Sequence, residues 1–330
     1  MTTIHTVTGT TTPERLGTTL MHEHLMIGYP GWEAHTNQPG PGRREMLARC
    51  IDQVEELKAA GVSALLDPCP NDLVRDVEFM AEVAARTGFQ IICATGLYKE
   101  AEGGTAYWHF RKNFGPVVDV MAELFVKELT EGIGSTGIRA GIIKVATGPG
   151  TMSEYERQIF EAAAKASVAT GAPITTHTDQ GTVGDVQQRV LTELGVPAHR
   201  IIIGHSCGTS NHDYHLGIAR GGSYLGFDRF GLDILHPDAE RTRSLLRLIQ
   251  KGAGDRVVVS HDSVWCWRGT PIPPEITLGG AGAGAWHPLH FLRDIAPALK
   301  QGGASDAQVQ ALLVDNPRRF FAGEKLPALA

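Results

Sequence analysis

The stretch Met21-His22-Glu23-His24-Leu25, near the end of the apolar run 18–27, decides how the chain is read. On a strand, residues two apart share a face, so His22 and His24 present paired imidazoles about 7 Å apart at their Cα atoms, a chelating arrangement. On a helix the same spacing swings the rings to nearly opposite sides, so a metal site here requires a strand. Two polar residues on a strand face explain the pair equally well when it is taken alone. The rest of the chain must decide.

Working outward, the sequence alternates between short apolar runs and helical patterns. After a short hairpin around residues 8–11, strands are expected over residues 18–25, 62–67, 90–97, 140–146, 174–178, 200–205, 223–228 and 256–261. Helices are expected over 44–60, 76–87, 117–131, 153–170, 183–194, 212–220, 239–250 and 288–300. The first helix shows the reasoning: Met46, Leu47, Ile51, Val54 and Leu57 recur at helical spacing and Gly61 stops the run. Eight strands alternating with eight helices predict an α/β fold, a (β/α)8 TIM barrel forming one domain over residues 1–330. An open doubly wound sheet would carry a Gly-rich phosphate turn after its first strand, and Gly28-Tyr29-Pro30-Gly31 is not GxGxxG.

Composition narrows the function. Hydrophobic residues make up 42% and charged residues 20%, an ordinary balance that can bury a large core. A net charge of −6 without a basic run gives no electrostatic footprint for nucleic acid or an anionic membrane surface, so a small-molecule partner is expected. Cys50, Cys69, Cys93, Cys207 and Cys266 are odd in number and widely spaced, which suits reduced thiols and neither a disulfide framework nor a thiolate zinc site. The polar, Thr-rich start lacks a signal-peptide pattern and no segment reaches the length of a membrane span, so a cytoplasmic protein is expected.

Chemistry-bearing side chains recur at the C-terminal ends of the expected strands, where barrel enzymes assemble their sites. Lys144 stands in the otherwise apolar run Gly141-Ile142-Ile143-Lys144-Val145-Ala146. In a parallel strand covered on both faces its head cannot easily reach solvent, so its pKa falls and the neutral amine becomes available. Such an amine can take up carbon dioxide as a carbamate able to bridge two metal ions. Thr175-Thr176-His177-Thr178 and Ile203-Gly204-His205-Ser206 end the fifth and sixth strands, and Ser260-His261-Asp262-Ser263 ends the eighth. Each of these is explicable alone, the histidines as satisfied core groups and Asp262 as a helix N-cap. Together they form a nitrogen and oxygen donor set suited to zinc, cobalt, manganese or iron.

The pattern His22-x-His24, Lys144, His177, His205 and Asp262 resembles the amidohydrolase superfamily, specifically the phosphotriesterase family and, within it, the phosphotriesterase-like lactonases. The resemblance extends over nearly the whole chain, including Cys93-Ala94-Thr95-Gly96-Leu97-Tyr98, Phe227-Asp228-Arg229-Phe230-Gly231 and Asn316-Pro317-Arg318-Arg319-Phe320-Phe321. It implies two divalent metal ions, zinc or else cobalt, manganese or iron. His22, His24 and Asp262 would bind the more buried ion and His177 and His205 the outer one, with carboxylated Lys144 and a hydroxide bridging them. It further implies that Asp262 accepts and returns a proton during hydrolysis, that Tyr98 and Arg229 face the centre and the substrate, and that the protein is a homodimer.

In dedicated phosphotriesterases of this family, acids soon after the sixth-strand histidine join a histidine after the seventh strand in a proton relay. Here the segments read Ser206-Cys207-Gly208-Thr209 and Asp228-Arg229. The resemblance therefore leans to a lactonase opening γ- and δ-lactones, with acyl-homoserine lactones as further substrates and weak organophosphate hydrolysis. A dedicated phosphotriesterase and a non-catalytic, metal-containing binding barrel are the alternatives. Trp265, Trp267 and Trp286, in the Gly/Pro/Trp-rich loop 265–286, are expected to form an apolar wall for an acyl or alkyl chain, or else to pack that loop onto the barrel.

Overall fold

The computed structural model describes residues 2–273 and 284–329. Residues 274–283, part of the expected strand-eight loop, lie outside the described residues. The chain opens with the expected hairpin, β1 (Ile4–Thr6) against β2 (Gly9–Thr11). The alternation then follows as β3 (Thr19–Leu20), α1 (Arg43–Ala59), β4 (Ala64–Asp67), α2 (Val77–Thr87) and β5 (Gln90–Gly96). It continues with α3 (Thr105–Lys112), α4 (Val118–Thr130), β6 (Ile142–Lys144), α5 (Glu154–Thr170), β7 (Ile174–Thr175) and α6 (Gly184–Glu193). β8 (Ile201–Ile203), α7 (His212–Arg220), β9 (Tyr224–Phe227), α8 (Asp238–Gln250) and β10 (Val257–Val259) complete the sheet. Among the described residues β3 to β10 lie side by side in chain order, every ladder parallel, which is the TIM barrel expected from the alternation.

Local chemistry accounts for the helices. Ser153 and Glu156 form a reciprocal capping box at the start of α5, and Asp76 caps α2 by accepting from Phe79 N. Gly88 and Gly171 close α2 and α5 in the left-handed conformation. Alternate strand residues feed two cores. Ala64, Leu66, Ile92, Ala94, Ile142, Ile202 and Val258 pack together inside the barrel, while Leu65, Ile91, Cys93, Ile143, Ile203 and Val257 pack outward under the helices.

Three expectations are corrected. The strands are shorter than the apolar runs, most of all the first, whose ladder stops at Leu20 so that His22 and His24 lie just past its end. Beyond Leu20 the backbone bonds alternately to both neighbours, Met21 N donating to Val259 O and Glu23 N to Leu66 O, and His24 pairs in an isolated bridge with Val264. At the sixth and eighth strand ends, His205 and Asp262 take φ of 56° and 52°, a left-handed conformation that no ladder can continue through. The loop expected between the third strand and its helix contains α3, which buries Trp108 but exposes Tyr107 and Phe110, so its sequence lacks a clean apolar stripe. The helix expected over 288–300 begins with a wide π turn, Phe291–Ile295, before α9 (Ala296–Gln301), and two more short helices, α10 (Asp306–Gln310) and α11 (Asn316–Ala322), carry the chain on beneath the barrel.

The seam between β3 and β10 is closed by backbone bonds, among them Met21 N to Val259 O, Asp262 N to His22 O and His24 N to Ser263 O, and by buried side-chain chemistry. Glu23 is fully buried, and its Oε1 accepts from Ser260 Oγ at 2.7 Å and His261 N at 3.0 Å and lies 2.6 Å from His261 Nδ1. Its Oε2 accepts from Ser263 N at 3.2 Å and from the Ser263 hydroxyl. Removing this carboxylate strands several buried donors at once. Glu23→Ala is expected to lower the unfolding free energy by about 3 kcal/mol or more, read from the urea midpoint, and a loss under about 1 kcal/mol would show that the seam does not depend on it.

Candidate metal centre

Six side chains expected from the sequence meet at the C-terminal mouth of the barrel. Asp262 lies among them: its Oδ1 is 3.4 Å from His22 Nε2 and 3.3 Å from His24 Nε2, and its Oδ2 is 3.7 Å from His205 Nε2. Lys144 Nζ stands 3.4 Å from His22 Nε2 and donates to Thr176 O at 3.0 Å. The His177 and His205 ring centroids are 4.6 Å apart, and those of His22 and His205 4.7 Å. All four imidazoles and Lys144 are buried.

Two backbone features make this convergence possible. His205 and Asp262 hold left-handed dihedrals that side-chain-bearing residues seldom adopt, which turns both side chains off their strands. At the end of β5, a Cβ on Gly96 would sit 1.8 Å from the carbonyl oxygen of Lys144, so only glycine lets β5 approach β6 where the lysine is presented.

Carboxylates not assigned from the sequence back this set. Asp67, at the end of β4, places Oδ1 3.2 Å from His24 Nδ1 and accepts from Leu25 N through Oδ2. Asp228 places Oδ1 2.9 Å from His205 Nδ1 and accepts from His205 N, with Oδ2 3.2 Å from His22 Nδ1. Asp179 lies 2.7 Å from His177 Nε2. Asp67 and Asp228 are strand-end acids, the same signal that singled out Asp262, and the sequence assigned neither a role. Arg229 donates from Nε to Asp262 Oδ2 at 2.8 Å. Tyr98 Oη lies 3.2 Å from His177 Nδ1.

A cavity of about 200 Å³ opens above the set. Tyr98 and Arg229 line it with the ligand candidates, and Leu73, Leu232, Ile234, Leu235 and Trp267 supply apolar walls. Trp267 stacks on Tyr29 with ring centroids 6.3 Å apart. Trp286 lines the cavity too and donates Nε1–H to His261 O. Trp265 does not reach this wall: it is buried and donates Nε1–H to Ser263 Oγ, so it packs the loop onto the barrel.

Residues 2–321 match the model of the phosphotriesterase family. The chain belongs to that family. It is 38% identical over 325 residues to a "Phosphotriesterase homology protein" of Mycobacterium tuberculosis, covering 96% of this chain and 97% of that one. Among solved structures, the organophosphorus hydrolase from Deinococcus radiodurans superposes with a TM-score of 0.92 at 42% identity, covering 97% of each chain. Another, described as "Molecular Engineering of Organophosphate Hydrolysis Activity from a Weak Promiscuous Lactonase Template", has a TM-score of 0.92 and 41% identity and covers 97% of this chain and 100% of that one. As a phosphotriesterase-family protein the chain is a metal-dependent hydrolase, and His22, His24 and Asp262 form one group, and His22, His205 and Asp228 another, whose donor atoms lie close enough together to hold an ion. No described helix is long and apolar enough to cross a membrane.

Electrostatics within this family site is dominated by burial. Burial pulls the Lys144 ammonium down to about 8 even though Asp262 and Asp228 favour its charge. It lowers His177 to about 3 and His205 well below the usual histidine range, keeping both imidazoles neutral. His24 goes the other way: burial opposes its charge, but Asp262 and Asp67 on either side overcome it and raise the ring to about 9. Burial would raise the Asp262 carboxyl, yet His205, Arg229 and His22 hold it well below the usual carboxylate range.

A cation entering this centre must displace the His24 proton and meets a lysine that is more often neutral as pH rises. Both effects have the same sign, so zinc affinity of the stripped protein is expected to rise between pH about 7 and 9, with proton release on binding. Chelator competition across that range measures it, and an affinity independent of pH would refute the assignment.

Proposed function

We propose that the protein is a lactonase that opens γ- and δ-lactones bearing alkyl tails, accepts acyl-homoserine lactones, and hydrolyses organophosphate triesters weakly. The observation that carries this reading is the shape of the cavity chemistry: a charged base of buried donors faces walls of Leu73, Leu232, Ile234, Leu235 and Trp267. That arrangement suits one polar ester group joined to an apolar tail.

The residues fit a pair of divalent cations. Buried nitrogen and oxygen donors crowd together, with Asp262 Oδ1 3.4 Å from His22 Nε2 and 3.3 Å from His24 Nε2, and Lys144 Nζ 3.4 Å from His22 Nε2. His22, His24 and Asp262 would hold one ion and His177 and His205 the other, with Lys144 carboxylated by carbon dioxide and shared between them. The absence of thiolates from this set suits zinc, with cobalt, manganese or iron as alternatives. Two such ions supply Lewis acidity at the scissile carbonyl and hydroxide near neutral pH.

The chain's own groups do the remaining work. Asp262 accepts the proton of the attacking water at a carboxylate oxygen and returns it to the alkoxide as the ring carbon–oxygen bond breaks, giving a hydroxy acid. Arg229, bonded to Asp262 Oδ2 at 2.8 Å, keeps that carboxylate ionised and aimed. Tyr98, whose Oη lies 3.2 Å from His177 Nδ1 and which lines the cavity, in this reading donates to the substrate oxygen. The apolar walls hold the tail and exclude water from the base. In this reading residues 1–330 act as one barrel domain, in a cytoplasmic homodimer.

A second reading, a dedicated phosphotriesterase, draws support from the Deinococcus neighbour's name. Against it, no acid follows His205 in Ser206-Cys207-Gly208-Thr209 to continue a relay. A panel of alkyl lactones, acyl-homoserine lactones and paraoxon separates the readings. Lactone kcat/KM is expected to exceed that for paraoxon at least about tenfold, to vanish on chelation and to return with added metal. A reversed ratio favours the phosphotriesterase, and full metal loading without turnover of any ester favours a binding barrel.

Asp262→Asn keeps size and hydrogen-bonding shape but cannot carry the proton. It is expected to remain folded and to lose kcat by about 100-fold or more, with a smaller change in KM. Wild-type-like turnover in that variant would remove Asp262 from the proton step.

A further inference from the structure

Tyr98 and Lys99 follow the end of β5 and are adjacent in sequence, yet they reach opposite nitrogens of one imidazole. Tyr98 Oη lies 3.2 Å from His177 Nδ1. Lys99 Nζ reaches the other side through Asp179, donating to Asp179 Oδ2 at 2.8 Å and Oδ1 at 3.1 Å, while Asp179 Oδ1 lies 2.7 Å from His177 Nε2. The Lys99 side chain is only 8% exposed, unusual for a lysine, and its third contact is Glu102 Oε1 at 2.9 Å. Its position is not left to chance. Asp72 accepts from Tyr98 N at 2.9 Å and Gly104 N at 2.8 Å, and Gly103 N donates to Lys99 O, so the turn carrying Lys99 is pinned at both ends.

A carboxylate beside Nε2 can only accept, so it selects the tautomer with the proton on Nε2 and leaves the Nδ1 lone pair on the side of Tyr98 and the cavity. Asp179 can do this only if it is held, and Lys99 is the cation that holds it through both oxygens. We infer that Lys99 is a positioning residue for the centre: it anchors Asp179 and thereby locks the ring and tautomer of His177, tying the outer ligand to the rim turn 98–104. This rests on the metal-dependent reading above. A backing carboxylate of this kind typically affects metal affinity by about 10- to 100-fold. Lys99 acts one step further out, so the lower figure applies.

The test compares wild type, Lys99→Met and Lys99→Arg. In the metal-free proteins, 15N shifts of His177 report its tautomer. In zinc titrations against a chromophoric chelator, affinity is read for each of two ions. Wild type is expected to show the Nε2–H form. Lys99→Met should show a mixed tautomer and an outer-site affinity about tenfold weaker with the inner site unchanged, and Lys99→Arg should restore both. If Lys99→Met fails to fold, Lys99→Gln serves in its place. An Nε2–H form and outer-site affinity unchanged in Lys99→Met would overturn the inference, as would equal weakening of both sites. If wild type binds no zinc the hydrolase reading falls, and the nitrogen shifts alone decide whether Lys99 sets the tautomer.

Discussion

One buried carboxylate ties together the two strand ends that meet at the closing seam of the barrel. Glu23 stands between His22 and His24, and its oxygens gather Ser260, His261 and Ser263 at the end of β10. β3 itself is only two residues long, but past Leu20 backbone bonds continue across the seam, Met21 N to Val259 O, Asp262 N to His22 O, His24 N to Ser263 O and Trp265 N to His24 O. A buried carboxylate with several donors is strongly held, since any loss leaves those donors unpaired away from water. The same carboxylate, together with the backbone bonds from Asp262 N to His22 O and from His24 N to Ser263 O, ties the His22–His24 pair to the strand end that carries Asp262. Fold closure and site assembly share these contacts.

Around that seam four of the six ligand candidates are backed by an acid or a carbonyl. Asp67 steadies His24, Asp228 steadies His205, Asp179 steadies His177, and Thr176 O receives the Lys144 ammonium. Such backing fixes ring orientation and tautomer before any cation arrives. The cost appears in the backbone, where His205 and Asp262 are held in left-handed dihedrals. Neither conformation is favourable alone, and both persist because strands and surrounding hydrogen bonds over-determine them.

The cavity divides its labour by depth. Its base is charged and buried, so electrostatic interactions there are stronger than in water. Its rim is apolar, and Ile234 and Leu235 are more than half exposed, surface that a hydrophobic tail would cover. Arg229 links the two zones, lining the cavity while bonded to Asp262.

By itself the sequence determined the barrel and the six converging side chains. Alternating strand and helix periods are local signals, and strand-end residues must face the same mouth once the strands are parallel. It misjudged the strand ends, because left-handed turns at His205 and Asp262 and the backbone bonds that carry the seam past Leu20 are set by neighbours distant in the chain. The roles of Glu23, Asp67, Asp228 and Asp179 were decided only by the tertiary structure, since an acid beside a strand carries no local mark of which imidazole it will meet. The same holds for Trp265 and Trp267, two residues apart in one loop: packing sent one to the core and the other to the cavity wall.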